Sequence, residues 1–218
     1  MDGPDVDKFF EELKDLRKIH YSPNGPKMIS LIEDYITSGR VHIDAKLPGS
    51  QIETLRYIVG HGYPEVTDHL IKLGSNPNAQ GAIKYTALHL LIVAYFQDMD
   101  KVLEEIDILV NNEADLSLRD DDNLMPLDSG LFLAITMPED YLSDNALTLK
   151  LNKLIGKCQS ELCESTLKEA INNRHYDNKP YTPEQLERLK VIYDCVRKGE
   201  PIPDINNFRG RAFQIWDL

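Results

Sequence analysis

The sequence predicts an all-α chain in which short helix pairs stack on one another. Three observations lead there. Apolar residues recur at helical spacing in successive segments. A short core pattern and its downstream turn return along the chain. A glycine or an asparagine-rich turn stands where helices must stop.

The elements follow in order. Asp5 to His20 reads as a helix with Phe9, Leu13, Leu16 and Ile19 on one face. It suits the capping of an open stack end. Met28 to Lys46 holds a second amphipathic helix (Ile29, Ile32, Tyr35, Ile36), then Gly39 and Ile43-Asp44-Ala45-Lys46. Next come Glu53-Thr54-Leu55-Arg56, Gly62, Glu65-Val66, His69 to Gly74, and Asn76-Pro77-Asn78-Ala79-Gln80. Thirty-three residues after Glu53 stands Thr86-Ala87-Leu88-His89, leading into Ile108-Leu109-Val110 and Ala114-Asp115-Leu116. Thirty-nine residues after Thr86 stands Met125-Pro126-Leu127-Asp128. Leu55, Ile58 and Val59 share a helical face, as do Val66, Leu70 and Leu73. Gly74 falls where a helix C-cap needs a left-handed residue. Neither helix of a pair could bury its apolar side alone, so a stacked neighbour is required.

These residues resemble the ankyrin repeat, a 33-residue unit with a Thr-Pro-Leu-His core, a second helix ending in a Leu-Leu pair, and a Gly-Ala-Asp-Val-Asn turn. Thr86-Ala87-Leu88-His89 and Met125-Pro126-Leu127-Asp128 are partial copies of the core. Leu73 to Ala79 is close to the turn, and Asn112-Glu113-Ala114-Asp115-Leu116-Ser117 is a copy with its Gly replaced. Ser165 to His175 lines up with the first helix of a further unit. A marked helix follows, with Thr182 as N-cap, Pro183 at its first position and Gln185 completing a capping box. Leu186, Leu189, Tyr193 and Val196 face inward, and Gly199 ends it. The resemblance implies an all-α ankyrin-repeat solenoid of helix-turn-helix units with short hairpin loops and helical caps at both ends. Its expected division is 1–46 for N-terminal capping helices and a degenerate half repeat. Repeats follow at 47–80, 81–119 and 120–157, then a degenerate C-terminal repeat and cap at 158–218. The chain departs from the pattern at 91–107, where it holds more residues than the 33-residue unit, and around 136–146.

Composition excludes several functions. The formal net charge is −12, which disfavours nucleic acid, whose phosphates need Lys and Arg. Between Asp98 and Asp144 stand fourteen acidic and two basic residues, so this segment carries the whole net charge. The longest apolar run, Leu88 to Phe96, is too short for a bilayer span. The N-terminus is acidic, unlike a secretory signal. Three cysteines, Cys158, Cys163 and Cys195, fit no zinc spacing and read as buried structural thiols in a reducing, cytoplasmic setting. No metal or cofactor motif is present: Asp120-Asp121-Asp122-Asn123 lacks the spaced ligands and closing Glu of a calcium loop.

Partners of the family usually touch variable positions flanking the core. Carried onto this chain, these are Ser50, Ile52 and His61, then Ala82, Ile83, Tyr85, Val93 and Ala94, then Asp121, Asp122, Leu124, Phe132 and Leu133. The expected partner-binding residues are Ile52, His61, Ile83, Tyr85, Asp121, Asp122, Leu124 and Phe132. Tyr85 and Leu124 join Ile83 as apolar anchors at hairpin tips, and Asp120-Asp121-Asp122 steers a basic partner surface. The family's core His bonds neighbouring turns; His89 holds that place, while Arg56 and Asp128 replace it in flanking units, which then lack the standard bond. The expected function is a non-catalytic protein-protein interaction module. Two alternatives stay open: an effector that a bacterium delivers into a host cytoplasm to bind a host protein, which stand-alone ankyrin proteins of this size resemble, and an enzyme with its active site in the C-terminal third. The oligomeric state and the role of the tail Phe208 to Leu218 are not legible.

Overall fold

The computed structural model describes residues 3–17, 24–93, 98–136, 146–157 and 183–203. Among them the secondary structure is helical, apart from one bridge between Lys46 and Glu53. The helices are α1 (Pro4–Arg17), α2 (Gly25–Thr37), α3 (Thr54–Ile58), α4 (Pro64–Lys72), α5 (Ala87–Val93), α6 (Met99–Asn111), α7 (Pro126–Thr136), α8 (Ala146–Leu154) and α9 (Pro183–Lys198). The chain forms two compact units, Met1–Pro126 and Leu127–Leu218, dividing at the start of α7. The expectations for Ser165 to His175, for Thr182, Cys158 and Cys163, and for the tail Phe208 to Leu218 lie outside the described residues.

In the first unit, α1 packs on α2, α3 on α4 and α5 on α6. Across pairs, α2 packs on α4, α4 on α6 and α3 on α5. The apolar spacing accounts for these contacts. Met28, Ile32 and Tyr35 of α2, Val66 and Leu70 of α4, and Val102, Ile106 and Leu109 of α6 are all buried. Each face holds only a few apolar side chains, so a neighbour on both sides is needed to exclude water from it.

α1 is packed firmly against its neighbours. Phe9 and Leu13 are wholly buried, Phe9 meets the Tyr35 ring at 5.3 Å, and Phe10 stands edge-on to Tyr57 at 5.3 Å. The Arg17 guanidinium lies 4.1 Å over the Tyr57 ring and donates to the Tyr57 carbonyl oxygen. α2, the partner helix of α1, packs in turn on α4. Asn24 Nδ2 donates to the Leu16 carbonyl oxygen at 2.8 Å, fastening the start of α2 to the end of α1.

Helix ends carry the turn chemistry. Gly74 follows α4 with φ +100°, and Glu113 takes φ +64° at the matching place after α6. The turns then bond to one another across the pairs. Asp44 Oδ1 accepts from the Ser75 hydroxyl and the Asn76 N–H. Asn78 donates to the Glu113 carbonyl oxygen and accepts from the Asp115 N–H at 2.6 Å. These partners lie 31 to 37 residues apart.

In the second unit, α8 buries Leu151 and Leu154, and α9 buries Ile192 and Val196. Asn152 ties α8 to the segment after α9, accepting from the Ile202 N–H and donating to the Ile202 carbonyl oxygen. Gly199, at φ +66°, follows α9.

Candidate functional site

The core tetrapeptide explains the second hairpin. Thr86 precedes α5, and its Oγ1 accepts from the His89 N–H at 3.3 Å. In return His89 Nδ1 accepts from the Thr86 N–H at 3.3 Å. This is a reciprocal cap with an imidazole in the place of the usual Glu. The donor on Thr86 sets the tautomer, leaving Nε2 to donate to the Leu124 carbonyl oxygen at 3.1 Å. Burial of the ring holds its pKa below the usual histidine value, against the pull of the Leu124 carbonyl. His89 is wholly buried and serves to bind one hairpin to the next.

The unit before it lacks this His, and Arg56 in its place bonds within its own hairpin. Arg56 is buried, and its Nη1 donates to the Gln51 carbonyl oxygen and to Glu53 Oε2, both at 3.1 Å. The guanidinium reaches the next hairpin: a Cβ on Gly81 would collide with it and stand 2.6 Å from the Gln51 carbonyl oxygen. The buried ion pair of Arg56 with Glu53 closes its own hairpin, and the guanidinium packs against Gly81 of the next.

The tips themselves are tightly bonded. In the first, Leu47 N–H donates to the Ile52 carbonyl oxygen at 2.8 Å, and the Ser50 hydroxyl accepts from the Ile52 N–H. In the second, Ala82–Lys84 forms a 3-10 turn in which Ile83 and Lys84 both hold φ +53°. In the third, Asp120 N–H donates to the Leu124 carbonyl oxygen, and Asp120 Oδ1 accepts from the Asp122 and Leu124 N–H groups at 2.9 Å. The last two tips are joined. Asp121 N–H donates to the Ile83 carbonyl oxygen at 3.2 Å, Lys84 Nζ meets Asp121 Oδ1 at 3.1 Å, and Gln80 donates to both Lys84 and Arg119 carbonyls.

This geometry sorts the expected residues. Ile83, Tyr85, Asp121, Asp122 and Leu124 come together on the joined tips. Ile83 is 57% exposed. Tyr85 is not the expected exposed aromatic: its ring is half-buried and stacks on His89 at 5.3 Å. Burial, with Asp120 and Asp122 nearby, raises its hydroxyl pKa. Leu124 is half-buried too, with its backbone spent on His89 and Asp120. The acidic triad also divides. Asp120 is buried and structural, Asp121 pairs with Lys84, and Asp121 and Asp122 are exposed. Ile52 lies half-buried in the first tip. His61 is exposed on the α3–α4 turn, its Nε2 2.9 Å from Arg17 Nη1. Phe132 is half-buried on α7, in the second unit.

Sequence reasoning missed Glu105, counted above among the charges of the acidic segment. Its side chain is wholly buried on α6. Oε2 accepts from the Gly60 N–H at 2.8 Å and Oε1 from the Thr67 hydroxyl at 2.9 Å. Burial raises the carboxyl to about 7, against those two hydrogen bonds. The signal was present: Glu105 falls between Val102 and Leu109 on the apolar stripe of α6.

Other chemistry is sparse. Among the described residues no group of three His, Cys, Asp or Glu side chains could hold a metal ion, and no helix is long and apolar enough to cross a membrane. An open groove of about 750 Å³ between α1 and α2 is lined by residues such as Glu12, Leu16, Lys27 and Leu31, none of them an expected contact position. Burial raises the pKa of the half-buried Cys195 thiol, which disfavours a reactive thiolate there. No protein-family model matches the chain, and no curated protein matches its sequence.

Proposed function

We propose that this chain is a non-catalytic protein-protein interaction module, an ankyrin-type stack that takes a partner protein on its hairpin tips and first helices. Support for the ankyrin reading comes from pairs of helices packed in succession and from turn-to-turn hydrogen bonds between residues about one repeat apart. The observation that carries the binding reading is Ile83. A large apolar side chain stands 57% exposed on a tip whose backbone is left-handed at two consecutive non-glycine residues. That conformation is costly for a β-branched residue, and the bonds to Asp121 and Lys84 hold it rigid. An apolar group on a preordered surface binds with little ordering cost. The surrounding charge favours a partner with a basic surface: Asp121 and Asp122 flank Ile83, within the acidic 98–144 segment.

The test is affinity capture from lysate with identified products, comparing the natural chain with Ile83→Asp and with Leu149→Asp. Leu149, on α8, is also an exposed large apolar residue and controls for general stickiness. A protein lost with Ile83→Asp and retained with Leu149→Asp is the expected result. Retention of every captured protein by Ile83→Asp removes the tip from the site.

A further inference from the structure

We propose that Glu105 is a proton-linked latch of the first unit, a buried carboxyl that holds the α3–α4 turn and α4 against α6 when protonated and loosens that junction when ionised. The geometry is specific. Glu105 comes from α6, Gly60 from the turn after α3 and Thr67 from α4, so one carboxyl joins α6 to two neighbouring segments 45 and 38 residues before it. Glu105, Thr67 and Gly60 are all buried. An ionised carboxylate has about four acceptor sites, and the bonds from Gly60 and Thr67 occupy two.

The surrounding charges do not compensate it. Glu104 on α6 and Glu65 on α4 both disfavour its ionisation. The cations are turned elsewhere. Arg56 on α3 is spent on Glu53 and Gln51, Arg17 reaches His61 on the turn, and His69 and Lys72 on α4 face Glu33 and Asp68. His89 on α5 is engaged with Thr86 and Leu124, and Lys101 on α6 lies along Gly62 and pairs with Asp98. The neutral acid fits the same place, because the Thr67 hydroxyl can accept from a protonated Oε1 while Oε2 keeps the Gly60 N–H.

The sign follows. The folded carboxyl sits near 7 and an unfolded one near 4.5. Between these values the folded chain holds a proton that the unfolded chain has released. The contribution of Glu105 to stability is therefore full below about 4.5 and is lost as pH rises through 7. The α3–α4 turn also carries His61, so the latch links pH to one edge of the proposed partner surface. That link rests on the proposed function; the titration itself does not.

The experiment is an NMR titration of the Glu105 side-chain carboxyl carbon in the full chain, beside denaturant unfolding of the natural chain and Glu105→Gln across the same pH range. The amide of Gln can keep both partners, accepting from Gly60 and donating to Thr67. The expected carboxyl midpoint is near neutrality, well above the surface glutamates. The unfolding constants of the two proteins should diverge about a hundredfold between pH 4.5 and 8, with the natural chain losing ground. Protection of the Gly60 amide, taken relative to its intrinsic exchange rate at each pH, should fall in the natural chain and hold in Glu105→Gln as pH rises through 7. Titration of Glu105 together with the surface glutamates, or parallel stability curves, overturns the proposal. If Glu105→Gln does not fold, Thr67→Val decides: loss of a hydrogen bond to the ionised form must raise the midpoint further, and an unmoved midpoint overturns the latch.

Discussion

His89 Nε2 lies 3.1 Å from the carbonyl oxygen of Leu124, thirty-five residues away. One imidazole caps its own helix through Nδ1 and fastens the following hairpin through Nε2. Thr86 and His89 therefore fasten one hairpin to the next.

Replacing His89 should expose this joint. His89→Ala removes a wholly buried ring and its bonds on both sides, and is expected to cost about 2–4 kcal/mol. The burial-lowered pKa adds a pH signature. The unfolded ring takes a proton near 6.5 while the folded ring resists it, so the natural chain loses stability as pH falls below 6.5. The variant should lack that component. Urea unfolding of both proteins at pH 5 and 7.5 makes the comparison.

Two glycines should fail for different reasons. A Cβ on Gly81 meets the Arg56 guanidinium and the Gln51 carbonyl, so Gly81→Ala is expected to destabilise by about 1–3 kcal/mol through overpacking. Gly74 has φ +100° and open space around it, so Gly74→Ala costs only backbone strain, of order 1 kcal/mol. In an Arg56→Ala background the Gly81 penalty should shrink and the Gly74 penalty should not. A double-mutant cycle by thermal denaturation reads this.

Left-handed backbone at non-glycine residues is stored strain, and glycine should release it. Glu113→Gly is expected to raise stability by about 0.5–1 kcal/mol. Ile83→Gly should leave the melting temperature unchanged or higher while abolishing capture of a tip-bound partner. A lowered melting temperature for Ile83→Gly would show that the side chain supports the fold.

The acidic tip should separate into one structural and two exposed carboxylates. Asp120→Ala loses acceptors for two backbone N–H groups and is expected to cost about 1–2 kcal/mol. Asp122→Lys should leave the unfolding midpoint in place and slow association with a basic partner, with a salt-dependent rate. Chemical denaturation and stopped-flow association are the measurements.

Much of the helical architecture is legible without coordinates. Phe9 and Leu13, Ile32 and Tyr35, and Val66 and Leu70 are read as inward and are buried. Gly74 and Gly199 are read as helix stops and hold positive φ. Tyr85 and Leu124 were less legible. Their tip positions suggested exposure, but whether a tip side chain folds back depends on the neighbouring turn, here on the His89 ring and the Asp120 carboxylate.

The sequence by itself determined the helices and their apolar faces, because periodicity and stop signals are local properties of the chain. It also determined where the net charge lies along the chain. The tertiary structure alone decided which of those charges reach solvent. Glu105 and Asp120 are carboxylates in the acidic segment, yet both are buried, one against Gly60 and Thr67 and the other within its own turn. Burial is set by what packs against a face, and those neighbours come from segments tens of residues away. The same distance packs Arg56 against Gly81 and leaves Ile83 exposed.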